Sequence, residues 1–180
     1  MERSTEVDAD DEEDIDHDDA DKDAALMLAA GRGDLTAVRH FLDDGADADV
    51  TNEEGWTPLM VAAQKGFTDV ARLLIAHGAN INAATHGGNT ALTWAAHDGC
   101  TDMVRLLLEA GAYINAANES GNTPLMAAAE NGHLDIAKLL VEHGADIFAA
   151  NEEGLTATQF ARQNRHWEIA HMLQSVRTRQ

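Results

Sequence analysis

Apolar side chains along this chain fall in short bursts of helical period, separated by stretches rich in Gly, Asn and Asp. From Thr57-Pro58-Leu59 to Lys65 the pattern predicts a short helix with Pro in its first turn, where a missing N–H costs nothing. From Thr68 to Ala76 a second helix is predicted, because Val70, Leu73 and Leu74 lie three and four residues apart and share one face. Gly66 permits the tight turn between them. The segment Gly78-Ala79-Asn80-Ile81-Asn82-Ala83 then leads into further turn formers, an extended stretch that projects away from the helix pair. One unit therefore reads helix, turn, helix, hairpin loop.

The unit recurs. Gly55, Gly88, Gly121 and Gly154 are 33 residues apart, as are Gly33, Gly66, Gly99 and Gly132, and Gly45, Gly78, Gly111 and Gly144. Three glycine series with one period and no insertion define a repeat array. The stretches GWTPLMVAAQKGFTDVARLLIAHGANINA, GNTALTWAAHDGCTDMVRLLLEAGAYINA and GNTPLMAAAENGHLDIAKLLVEHGADIFA carry a clear likeness: the sequence resembles the ankyrin repeat family over about residues 22–174. The resemblance implies an all-α solenoid, an L-shaped stack of helix pairs with β-hairpin fingers, whose concave surface binds protein. The family's Thr-Pro-Leu-His is altered here. Met60, Thr93 and Met126 replace its His, and Ala91 replaces its Pro in the third repeat. Packed Met side chains are expected to substitute for the hydrogen bonds that this His supports.

Five repeats are expected, at about 19–51, 52–84, 85–117, 118–150 and 151–180, the first and last serving as caps. The first is expected to begin at Asp23, a good N-cap before Ala24-Ala25-Leu26. In the last, Arg162 replaces the small residue found at Ala63, Ala96 and Ala129, and Arg165 replaces the turn glycine. A charged side chain there faces water, so the stack should end. Trp167, at the start of the final helix, is expected to belong to the cap.

Charge divides the chain in two. Residues 1–23 carry thirteen acidic and two basic side chains, a net of -11 out of -20, while the remainder carries -9. Residues 1–21 are accordingly expected to form a disordered acidic tail and residues 22–180 the repeat domain. So negative a balance opposes binding to nucleic-acid phosphates and favours basic partners. Alanine and leucine dominate the apolar fraction and aromatics are few, which favours closely packed short helices. The single cysteine, Cys100, cannot form an internal disulfide. No secretory h-region and no apolar run of membrane-spanning length is evident. A cytoplasmic or nuclear monomer, with no membrane and no nucleic-acid partner, is the expectation.

No catalytic set, cofactor site or metal site presents itself. His77 and His143, each just before Gly-Ala, are expected to hydrogen-bond locally, and His133 in an inter-helix turn likewise. His86 and His97 lie at surface positions without a second ligand at zinc-like spacing. Cys100 opens a second helix, a place that can lower a thiol pKa, yet no base accompanies it. Gly31-Arg32-Gly33-Asp34 lacks the Lys and hydroxyl of a phosphate loop. Asp14-Ile15-Asp16-His17-Asp18-Asp19 lacks the glycine and distal glutamate of a calcium loop, and Asn118-Glu119-Ser120 reads as a turn.

Recognition should therefore fall to positions that vary between repeats on the fingers and first helices. These are Glu53, Glu54, Trp56, Gln64 and Lys65 in the second repeat, then His86, Asn89, Trp94, His97 and Asp98 in the third. The fourth supplies Glu119, Ser120, Asn122, Glu130 and Asn131, and the last Glu152, Glu153 and Leu155. Neither Trp56 nor Trp94 is demanded by the repeat, and tryptophan is a common hot spot of protein interfaces. The surrounding acids point to a partner segment with Lys or Arg around an apolar anchor. An adaptor or inhibitor is expected, and an acidic chaperone or mimic for basic proteins such as histone tails is the alternative. The resemblance also implies asparagine hydroxylation in the hairpins, for which Asn82 and Asn115 stand at matching places, although a turn-forming role explains both.

Overall fold

The computed structural model describes the backbone of residues 17–177 and the side chains of residues 22–176. Ten helices follow one another over this range: α1 His17–Arg32, α2 Leu35–Asp43, α3 Pro58–Lys65, α4 Thr68–Ala76, α5 Ala91–His97, α6 Thr101–Glu109, α7 Pro124–Asn131, α8 Leu134–Glu142, α9 Ala157–Gln163 and α10 Trp167–Arg177. Each odd helix packs on the next odd helix to form one layer, and the even helices form a second layer behind it. The fivefold period read from glycine is thus one continuous stack of helix pairs.

Small residues explain the close approach within the first layer. Ala62, Ala63, Ala95, Ala96, Ala128 and Ala129 are fully buried, so neighbouring helices meet almost backbone to backbone. Leucines at Leu59, Leu74, Leu92, Leu107, Leu125 and Leu140 fill the space between the layers. Burying each contributes roughly 1.5–3 kcal/mol. The helices are too short to be stable alone, so this repeated burial holds them.

Thr-Pro-Leu is a helix start written out. Thr57, Thr90 and Thr123 are extended N-caps whose hydroxyl oxygens accept the N–H of Met60, Thr93 and Met126 at 3.3, 3.3 and 3.4 Å. Pro58 and Pro124 sit in the first turn, where no N–H is required. Met60 and Met126 are buried, and the Met126 sulfur also receives the Thr123 N–H at 3.5 Å. Methionine packing does replace histidine in those two repeats. In the third, a Thr90–Thr93 hydroxyl contact of 3.2 Å stands in its place.

The fingers are built mainly from turns. Isolated antiparallel bridges join Ala84 to Thr90 and Ala150 to Thr156. Asn52, Asn118 and Asn151 each close a finger by accepting two N–H groups two and four residues ahead, from Glu54 and Trp56, Ser120 and Asn122, and Glu153 and Leu155. A Cβ on Gly88 would stand 2.9 Å from the backbone of Asn118, so this column must be glycine for adjacent fingers to touch.

Two boundary expectations are corrected. Asp23 is not an N-cap. Helix α1 begins at His17, with Asp18, Asp19 and Asp21 in its first turns, where acidic residues favour a helix start, and the Asp23 carboxylate instead accepts the Asp47 N–H at 2.8 Å. Of the expected disordered tail, residues 17–21 are helical and residues 1–16 lie outside the described residues. At the other end Arg162 is exposed, as a terminal repeat requires. Trp167, expected to belong to the cap, is 57% exposed, because no further repeat covers that column.

Candidate protein-binding surface

The two tryptophans meet. Trp56, at the base of the second finger, stacks on Trp94 of α5 with ring centroids 4.5 Å apart and planes 26° from parallel. His97 lies edge-on to Trp94 at 6.1 Å and bonds the Asp98 carboxylate at 2.8 Å. Both indoles are partly buried, so the pair is packed yet still reaches water. The Trp94 indole N–H is buried without an acceptor. An unmade bond of this kind costs roughly 1–3 kcal/mol, which stacking and burial of the rings offset.

Carboxylates flank this pair on its own finger. Glu53 and Glu54 are exposed there, the next finger has His86 and Gly87 at the matching places, and Glu119, Glu152 and Glu153 occupy them on the two fingers beyond. Glu130, Asp98, His97, Lys65, His86, Ser120 and Asn131 are also exposed, and Gln64 and Leu155 are partly so. None of the five finger glutamates has a basic side chain within ion-pairing distance among the described residues.

Two expected recognition residues are tied down. The Asn89 and Asn122 side-chain oxygens accept N–H bonds from Asn118 and Asn151 of the following fingers, at 3.0 and 2.9 Å. They therefore join finger to finger. Asn82 and Asn115 act in the same sense, accepting the Tyr113 and Asp146 N–H groups at 2.8 and 2.9 Å, with Asp49 accepting that of Asn80 at 2.7 Å. The expectation that Asn82 and Asn115 serve their own turns is corrected: each bridges to the next repeat.

Two family models match the chain, both described as ankyrin repeats: a three-copy model over residues 26–118 and a many-copy model over residues 107–161. The chain belongs to the ankyrin repeat family. Ankyrin repeats generally mediate protein–protein interaction and are typically non-catalytic. No curated protein matches the chain.

The ankyrin stack accounts for its histidines and cysteine. His77 and His143 bond the carbonyls of Leu73 and Leu139 through Nδ1 at 2.9 and 2.8 Å, the local role expected. His133 does not act locally. Its Nε2 bonds the His97 carbonyl of the preceding repeat at 2.9 Å, and His166 bonds that of Glu130 at 3.0 Å. Both belong to a column with Phe67 and Cys100 whose side chains press on the previous turn glycine. Sequence reasoning missed this column, although the 33-residue spacing of large residues after each turn glycine was its signal. Burial, reinforced by the Asp98 carboxylate, pushes the Cys100 thiol up, opposite to the lowering that its helix start suggested. Among the described residues no group of His, Cys, Asp and Glu is arranged to hold a metal, and no helix is long and apolar enough to cross a membrane. Tyr113, 68% exposed between α6 and the following finger, also went unread.

Proposed function

We propose that this ankyrin repeat protein is an adaptor or inhibitor that grips a segment of another protein along its fingers and inner helices. The observation that carries the reading is the Trp56–Trp94 stack beside exposed Glu53 and Glu54, which have no basic side chain within ion-pairing distance among the described residues. A partner segment carrying Lys or Arg around an apolar side chain complements that surface. The contact set comprises Glu53, Glu54, Trp56, Lys65, His86, Trp94, His97, Asp98, Glu119, Glu130, Glu152 and Glu153, with Asn89 and Asn122 holding the fingers in register. The protein acts as a monomer of cytoplasm or nucleus, without catalysis or nucleic-acid binding. Hydroxylation at Asn82 and Asn115 belongs to the same reading and would appear as added oxygen in peptide mass spectra.

Crosslinking in the native cell, compared between the natural chain and Trp56→Ala/Trp94→Ala, tests the proposal. Interface tryptophans contribute about 2 kcal/mol or more each, so capture of the specific partner should fall by over an order of magnitude. Undiminished capture by the double variant refutes the placement.

The net charge of -20, with -11 in residues 1–23, supports a second reading as an acidic chaperone or mimic for basic proteins. On that reading, removing residues 1–16 abolishes the binding of histone-tail peptides. On the first, the concave grip survives the truncation.

A further inference from the structure

The joint between the second and third fingers differs from the two that follow. At the later joints an asparagine pair, Asn118 to Asn89 and Asn151 to Asn122, bonds finger to finger. At the first, Thr85 and Trp56 stand in those columns, so no such pair can form. The backbone bond from His86 N–H to the Glu54 carbonyl at 3.1 Å recurs at both later joints, from Glu119 to Gly87 and from Glu152 to Ser120 at 3.0 Å each, so the indole stack alone takes the place of the side-chain pair. The repeat therefore gives up a finger-to-finger bond here and gains a rigid aromatic platform with two exposed carboxylates on the same loop.

We propose that this platform is an arginine seat: the guanidinium of one partner arginine lies on the Trp56 indole while Glu53 and Glu54 accept its N–H groups. This deepens the adaptor reading and rests on it. Guanidinium is planar, weakly hydrated and forked, so it stacks on an indole and bonds carboxylates at once. An ammonium holds its water more tightly and presents no plane. Lysine at this position is thus the weaker ligand, even though its charge is the same. The stack favours the seat further, since Trp94 fixes one side of Trp56 and little ordering remains on binding.

The fingers also set a register. Adjacent repeats lie roughly 10 Å apart, and an extended segment rises about 3.4 Å per residue, so every third residue meets a new finger. The finger next to Trp56 carries His86 and Gly87, so the arginine is followed six residues on by a cation opposite Glu119 and nine residues on by one opposite Glu152 and Glu153. Those later positions lack an aromatic, because Asn122 and Leu155 replace Trp56, and they accept lysine as readily as arginine.

The test uses the full chain and two dodecapeptides, Ac-Ala-Arg-Ala-Ala-Ala-Ala-Ala-Lys-Ala-Ala-Lys-Ala-amide and the same peptide with Lys in place of Arg. Their affinities are read at low salt from the indole N–H resonances of Trp56 and Trp94. The expected result is saturable shifts of both signals, with the arginine peptide bound about fivefold more tightly. Trp56→Asn, which installs the residue of the next two repeats, should erase that preference while leaving a salt-dependent remainder. Glu53→Gln/Glu54→Gln should weaken the arginine peptide more than the lysine one. Equal affinities in the natural chain, or a preference that survives Trp56→Asn, overturn the arginine seat but leave the adaptor reading standing. Failure of either peptide to move either indole, together with undiminished partner capture by the double alanine variant, overturns both.

Discussion

Replacing Gly99 with alanine separates two costs that the turn glycines otherwise combine. Gly99 has φ +80°, and a Cβ there would lie 2.7 Å from Cε1 and 2.9 Å from Nδ1 of His133. Gly111 has φ +94°, but a Cβ there would meet nothing within 4 Å. Left-handed backbone costs an L-residue about 1–2 kcal/mol, and losing glycine's freedom in the unfolded chain returns about 0.4–1. Gly111→Ala should therefore destabilise by about 1 kcal/mol. Gly99→Ala carries the same term and in addition displaces the imidazole. That breaks the 2.9 Å bond from His133 to the His97 carbonyl, worth about 1 kcal/mol, and overpacks the joint by about 1–3. A total near 3–4 kcal/mol is expected. Urea unfolding followed by circular dichroism measures both, with unchanged slopes showing that stability alone has moved. Adding His133→Ala should recover about 1–2 kcal/mol of the Gly99→Ala loss and none of the Gly111→Ala loss. Equal losses for the two glycine variants would refute the claim that this column couples repeats.

Other expectations follow from the same contacts. Arg165 has φ +65° where earlier repeats have glycine, so Arg165→Gly should stabilise by about 0.5–1 kcal/mol, and a lowered melting temperature would contradict it. Asn118→Ala removes acceptors for Ser120 and Asn122 and a donor to Asn89, and a loss of about 2 kcal/mol should appear in thermal unfolding, whereas Thr85→Ala should cost less. Cys100 should react with iodoacetamide more slowly in the folded chain than in urea at pH 8, because burial and Asp98 hold its thiol pKa above the ordinary value. The unfolded thiol ionises first as pH rises, so this group's contribution to stability is intact below the ordinary thiol pKa and lost on passing through the raised one. Cys100→Ser should flatten that part of the stability profile.

Periodicity made the stack legible, since every unit repeats the same physical demand at the same spacing. The Ala62–Ala63 pair and its successors had to be small for helices to touch, and Thr57, Thr90 and Thr123 had to cap them. Contacts between columns were harder to read. Trp56 and Trp94 stood out singly, but their stacking depends on a finger base of one repeat lying over the first helix of the next. Asn89 and Asn122 looked free because variation between repeats was taken as freedom, while the variation that mattered was in the paired column, Thr85 against Asn118 and Asn151. The His133 and His166 ties were hidden because their acceptors are backbone carbonyls, which leave no mark on side-chain identity. The start of α1 was misplaced for a different reason: acidic residues at the helix start precede Asp23 and alanines follow it, so the side chain that resembled a cap serves instead as an acceptor for the first finger.

This pairing of columns ties scaffold to recognition. Where two asparagines face each other, the joint is closed by side chains and the oxygen at the finger base is engaged within the scaffold. Where the pair is missing, an aromatic contact joins the backbone bond common to all three joints, and the half-buried indoles leave surface for something else to cover. Substituting Trp56→Asn and Thr85→Asn together should therefore build the absent bond and recover scaffold stability while removing the grip. A variant that became more stable and kept its partner would separate the joint from the binding site, whereas loss of the partner at undiminished stability ties them together.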